Sequence, residues 1–155
     1  MSFPRAFFDG AAQHSICACD LLISMNEEQH FSIFWNGGNG SNNKAEAMAL
    51  VGLLHLSTFL NIQNLQIYGD SKIMIEHVTG KLSIKNPMLT EWMNRIKVLW
   101  NRRKDFSINH VDRSYNSRAN QLSKKGLAIQ PGIWKMEIQM GSSTYQFEDF
   151  SLPGT

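Results

Sequence analysis

At 155 residues, with 43% apolar and 18% charged side chains, the chain is long enough for one domain with a real core and too short for two ordinary ones. That composition excludes a disordered polymer, and a formal charge of +2 is too small to define a partner. There is no apolar run of eighteen residues and no basic-then-apolar leader, so the expectation is a soluble, intracellular protein without a membrane partner.

In chain order, Arg5 to Asp9 reads as a short aromatic strand that stops at Asp9-Gly10. Ile16 to Met25 and Gln29 to Trp35 read as two further strands, turned by Asn26-Glu27-Glu28. Cys17 and Cys19 stand two apart in the first of these; zinc would need two more ligands, so they read as reduced thiols. Asn36 to Asn43, rich in Gly and Asn that tolerate positive φ, reads as a loop. A helix is expected from Lys44 to Leu60, with Ala45, Met48, Ala49, Leu53, Leu56 and Leu60 as its apolar stripe. A strand through Leu65 and Ile67 ends at Gly69-Asp70, and Ser71 then caps a short helix that runs to Val78 and is ended by Gly80.

A third helix is expected from Pro87 to Arg102, a fifth strand from Asp105 to Val111, and a last helix from Asn116 to Lys125. The basic run Arg95, Lys97, Arg102, Arg103 and Lys104 is a candidate phosphate-contacting surface and equally an ordinary solvated helix face. The order of elements predicts an α/β fold, a five-stranded mixed sheet flanked by helices, occupying residues 1–127. After Pro131-Gly132, the weak alternation of Trp134, Met136, Ile138 and Met140 predicts that residues 128–155 form a C-terminal appendage rather than core.

Three acids occupy similar stations: Asp9 ends a strand, Glu46 opens a helix and Asp70 ends a strand. Were these elements neighbours, the carboxylates would converge and call for a hard divalent cation. Each acid also has a purely local explanation. Asp9-Gly10 can be a turn, Glu46 can complete a capping box with Asn43, and Asp70 can flank a helix.

Phe8-Asp9-Gly10-Ala11-Ala12, Ser41-Asn42-Asn43-Lys44-Ala45-Glu46, Tyr68-Gly69-Asp70-Ser71-Lys72 and the run from His110 to Leu122 resemble, in order and spacing, the successive motifs of type 1 ribonuclease H. The resemblance covers residues 5–127 and points to the archaeal and plant-retroelement branch, which lacks a basic handle loop. It implies cleavage of the RNA strand of RNA–DNA hybrids. Asp9, Glu46, Asp70 and the residue at 120 would hold two Mg²⁺ ions, about 4 Å apart, with Mn²⁺ able to substitute. It also implies proton transfer or product release by His110, and nucleic-acid contacts from Gly10, Ser41, Asn42, Asn43, Ser71 and Lys72. A monomer or a segment of a larger retroelement polyprotein is the implied context.

Two positions depart from the family pattern. Asn120 stands where the fourth acid is expected, so the second ion loses a negatively charged ligand. Cys17-Ala18-Cys19-Asp20 replaces the usual glycines of the second strand. These leave two alternatives beside an enzyme: a catalytically silent module that binds hybrid or double-stranded nucleic acid, and a protein-interaction domain that keeps only the fold.

Overall fold

The computed structural model describes residues 2–116 and 133–150. Three long strands come first: β1 (Arg5–Gln13), β2 (Ile16–Ser24) and β3 (Gln29–Asn39). They are followed by α1 (Asn42–Phe59), β4 (Gln66–Gly69), α2 (Lys72–Val78), α3 (Thr90–Asn101) and β5 (Ser107–His110). A 3₁₀ turn, Arg113–Asn116, closes that part, and β6 (Trp134–Met140) and β7 (Ser143–Phe150) complete the described chain. The strands form one sheet in the order β5-β4-β1-β2-β3-β6-β7. β4 runs parallel to β1 and to β5, while the β1–β2, β2–β3, β3–β6 and β6–β7 pairs are antiparallel.

The α/β architecture expected from the sequence is present, with seven strands instead of five. The two extra strands come from the segment expected to be an appendage. β6 pairs with β3 from Gln29↔Met140 to Trp35↔Trp134. Trp134 is buried and stacks on Trp35 with ring centroids 3.7 Å apart. Gly52 of α1 makes room for that stack, since a Cβ there would sit 2.7 Å from the Trp35 ring. The alternation of 134–140 is weak because the hairpin is anchored by one tryptophan and only half-covered beyond it.

Several boundaries also move. β1 continues past Asp9 to Gln13, and His14 and Ser15, at φ 51° and 62°, form a two-residue hairpin turn. Two positive φ values match the right-handed twist of the flanking strands, which explains the tight turn without an Asn-Gly signal. The glycine-rich stretch after Trp35 is strand rather than loop as far as Asn39, paired with β2 through a bulge opposite Cys17 and Ala18. α1 begins at Asn42 because Ser41, not Asn43, is its cap: the Ser41 Oγ accepts from the Lys44 amide at 3.2 Å. α1 lies between the sheet and α3, so Leu50, Val51 and Leu54 are buried along with the expected stripe, and Met48 and Leu60 are only partly covered. α3 starts at Thr90, three residues later than the sequence predicts.

Candidate active site

Asp9 lies inside β1, at the point where its parallel partner gives out: the β1–β4 register ends at Phe8↔Gly69. Asp70 follows directly, so the two acids emerge side by side where β4 stops. Gly10 brings in the third. A Cβ at this position would lie 2.2 Å from the Ala45 carbonyl carbon and 2.5 Å from the Glu46 amide nitrogen. The first turn of α1 therefore rests on the β1 backbone itself, which only glycine permits. Gly69 plays a similar part at β4, where a Cβ would press to 2.5 Å of the Phe8 ring. One carboxylate oxygen from each of Asp9, Glu46 and Asp70 lies within 4.8 Å of the others.

These groups sit in an open cleft of about 570 Å³, also lined by Gly10, Ala11, Asn42, Asn43, Ser71, His110, Asp112 and Arg113. Burial pushes the Asp9 carboxyl up to about 6, helped by the nearby Asp70 charge and opposed by a hydrogen bond with Glu46 and by the Arg113 guanidinium. Burial, and then the neighbouring Asp9 charge, raises Glu46 well above the ordinary range. The Glu46 Oε2 atom is buried with no hydrogen-bond partner among the described residues. A buried, unpartnered carboxylate oxygen facing two other acids suits a divalent cation with hard oxygen ligands.

The sequence pattern of the family described as reverse transcriptase-like matches residues 8–126. The chain belongs to that family, as a type 1 ribonuclease H domain. It is 31% identical over 90 residues to the ribonuclease HI of Halobacterium salinarum, a match covering 58% of this chain and 45% of that protein. The crystal structure of ribonuclease H1 from the same archaeon superposes with a TM-score of 0.74 at 26% identity, covering 81% of this chain and 97% of that one. LC11 ribonuclease H1, solved in complex with an RNA/DNA hybrid, gives a TM-score of 0.72 at 21% identity, with 80% and 96% covered, a likeness of fold.

Of the residues singled out from the sequence of this ribonuclease H domain, Asp9, Gly10, Asn42, Asn43, Glu46, Asp70, Ser71 and His110 all line the cleft. His110 is the last residue of β5, paired in register with Gly69, and its Nε2 lies 3.3 Å from the Asp70 carbonyl oxygen. Asn42 is partly engaged, since its Oδ1 accepts from the Ala12 amide at 2.7 Å and ties α1 to the end of β1. Ser41 and Lys72 do not line the cleft. Ser41 is occupied as the α1 cap, and Lys72 projects from α2 beside Glu76 at 3.7 Å. Asn120 lies outside the described residues.

Asp112 and Arg113 were missed as cleft residues, although they stand in the His110-Val-Asp-Arg stretch that carried the family likeness. The Val111 amide donates to the Gly69 carbonyl at 3.0 Å, and the 3₁₀ turn then packs against β1 and β4. The basic run also divides. Arg103 is a structural residue that pairs with Asp105 at 3.2 Å, stacks on Phe106 and bonds the Ile62 carbonyl, while Arg95 pairs with Glu91 at 2.9 Å. The β2 departures are accommodated locally. Both cysteines are buried and free, and their thiols donate to the Ser41 and Ala45 carbonyls at 3.7 and 3.5 Å.

Proposed function

We propose that this domain hydrolyses the RNA strand of RNA–DNA hybrids with two divalent metal ions, Mg²⁺ ordinarily and Mn²⁺ as a substitute. The observation that carries the reading is the convergence of Asp9, Glu46 and Asp70 within 4.8 Å, with Glu46 Oε2 buried and unpartnered. Asp9, Glu46 and Asp70 would hold the ions, with Asn120 lending a neutral oxygen. Bound there, such ions lower the pKa of a water and stabilise a developing charge on the leaving 3′ oxygen. Asn43, on the cleft wall, would offer its side-chain amide to phosphates and 2′-hydroxyls, while Gly10 and Ser71 shape the wall beside it, the Gly10 amide bonding the acids and the Ser71 hydroxyl capping α2. That chemistry reads the shape of a hybrid instead of its base sequence. His110, exposed at the cleft beside Asp70, is placed to pass a proton to or from the reacting groups. Arg113 supplies a fixed positive charge that tempers the acids and can face a phosphate oxygen.

One observation favours a second reading. Asn120 withholds a negative charge where the family pattern has an acid, which suits a silent module that binds hybrid without cutting it. A cleavage gel on a labelled hybrid separates the two. The enzyme cuts the RNA strand only with Mg²⁺ or Mn²⁺, stops with chelator, and loses at least about 100-fold in rate when Glu46 becomes Gln. Salt-sensitive hybrid binding with no cleavage under either ion would establish the silent module.

A further inference from the structure

The segment that joins α2 to α3 is held by very little. From Thr79 to Met88 every residue is exposed except Ile84, which is half-buried against the core. Each end is tied locally. The Gly80, Lys81 and Leu82 amides close the end of α2 on the His77 and Glu76 carbonyls, and the Met88 and Leu89 amides turn back onto Asn86. From Ser83 to Lys85, the hydrogen-bonded link to the rest of the described chain is the Ile84 amide, which donates to His77 Nδ1 at 3.3 Å.

His77 is the penultimate residue of α2 and only 3% exposed. A ring nitrogen that accepts from an amide carries no proton, so the neutral ring bears its hydrogen on Nε2. That Nε2 is itself buried and makes no hydrogen bond. A second proton has only Nδ1 to go to, where it would point at the Ile84 N–H and leave that amide without an acceptor. Burial, and then the Lys97 ammonium of α3, hold the imidazole below its ordinary 6.5, against a weaker pull from the Met93 and Leu82 carbonyls. Of the other titratable groups on the packed elements, Glu76 on α2 is engaged by Lys72 at 3.7 Å, and Lys81 and Lys85 add positive charge to the segment itself. Glu46 of α1 and His110 of β5 lie at the cleft, while His55, Glu91, Arg95 and Arg102 line a separate groove.

We propose that His77 is an acid-released latch: the neutral ring holds the 79–88 segment against the domain through Ile84, and protonation at Nδ1 frees that segment while the rest of the domain stays folded. Local release is the cheaper opening. It gives up one hydrogen bond and a half-buried isoleucine, whereas unfolding the domain exposes the whole core. The direction with pH follows from the ring. Opening lets the imidazole take a proton that the closed form resists, so the latch is closed above the ordinary value of 6.5 and loosens as pH falls below it. His77 stands at the end of α2 away from Asp70 and Ser71, so the latch does not rest on the cleavage reading.

The test is amide hydrogen exchange on the whole chain, read residue by residue by NMR from about pH 7.5 to 5 and corrected for the intrinsic pH dependence of exchange. Protection of the Ile84 amide is expected to fall at least about fivefold, while that of Leu53, buried in α1, falls far less. Nitrogen-15 shifts of the neutral His77 ring should show the hydrogen on Nε2. His77→Asn sets an amide oxygen near the place of Nδ1 with no proton to gain, and should make Ile84 protection independent of pH. His77→Leu removes the acceptor and should leave Ile84 poorly protected throughout. A flat Ile84 profile in the unaltered chain, a parallel fall at Leu53 or a neutral ring protonated on Nδ1 overturns the proposal without recourse to a variant. So does a folded His77→Asn chain with the unaltered pH dependence, or a folded His77→Leu chain that still protects Ile84.

Discussion

Burial of Asp9 and Glu46 makes their ionisation costly, first by desolvation and then by repulsion among three acids whose oxygens lie within 4.8 Å of one another. For Asp9 the cost can be sized. Its carboxyl rises from 3.8 to about 6, and at 1.36 kcal/mol per pKa unit this amounts to about 3 kcal/mol. The sign follows from proton binding. The folded state holds the Asp9 proton more tightly than the unfolded chain, so its contribution is most favourable below the unfolded pKa. Stability is then lost as pH rises from about 4 through about 6. Asp9→Asn keeps the shape and removes the titration. In chelator at neutral pH the variant should be about 3 kcal/mol more stable, equivalent to roughly 6–12 °C in Tm for a domain of this size. With Mg²⁺ added, the unaltered chain should gain stability and the variant should gain far less, while its cleavage is lost. Thermal unfolding by circular dichroism across this pH range, with and without Mg²⁺, reads all of these. A variant no more stable than the unaltered chain in chelator, or a flat pH profile for the latter, would refute the electrostatic argument.

Gly10→Ala forces α1 off the β1 backbone and should cost about 1–3 kcal/mol in urea unfolding together with most of the cleavage activity. Trp134→Ala removes the stack on Trp35 and should destabilise by about 3–5 kcal/mol, with a weakened near-ultraviolet tryptophan signal; a change under about 1 kcal/mol would mean that the β6–β7 hairpin contributes little to the core. Asn120→Asp should raise Mg²⁺-dependent hybrid cleavage by roughly an order of magnitude or more in a Mg²⁺ titration, because a charged ligand to a divalent ion is worth several kcal/mol. An inert but folded, hybrid-binding Asn120→Asp protein would move the defect elsewhere.

Much of the site was legible because its residues come in local runs whose spacing places them. Asp9 and Asp70 stand next to glycines at adjoining points of two paired strands, and Glu46 lies one turn into a helix that a glycine lets approach. What escaped depends on long-range contact. The Asn36–Asn43 stretch reads as loop by composition, but β2 is long enough to hold it as strand through Asn39, and the bulge absorbs the glycine excess. The hairpin at His14-Ser15 has no sequence signature because the strands, not the turn residues, impose its positive φ. Residues 134–150 look peripheral in sequence because their alternation is weak, in keeping with the exposure of Met140, Tyr145 and Phe147, and only the pairing with β3 makes them part of the sheet. Arg103 looked like a phosphate contact because sequence cannot show that Asp105 and Phe106 already hold it.

The same charges bear on the role proposed for Asn120. Two divalent ions would bring four positive charges, and Asp9, Glu46 and Asp70 offer three negative ones when fully ionised. In the metal-free cleft the raised pKa values of Asp9 and Glu46 keep a proton among the acids as pH approaches neutrality, so that offer is smaller before an ion arrives. Asp9, Glu46 and Asp70 would hold a first ion at the expense of a proton and with relief of their repulsion, both of which favour binding. For a second ion they would already be compensated, and the amide at position 120 has no charge to add. On the proposed two-ion reading, the missing charge at Asn120 would weaken mainly the second ion. A residue that spoiled the cluster at Gly10 would instead undo the geometry proposed to hold both.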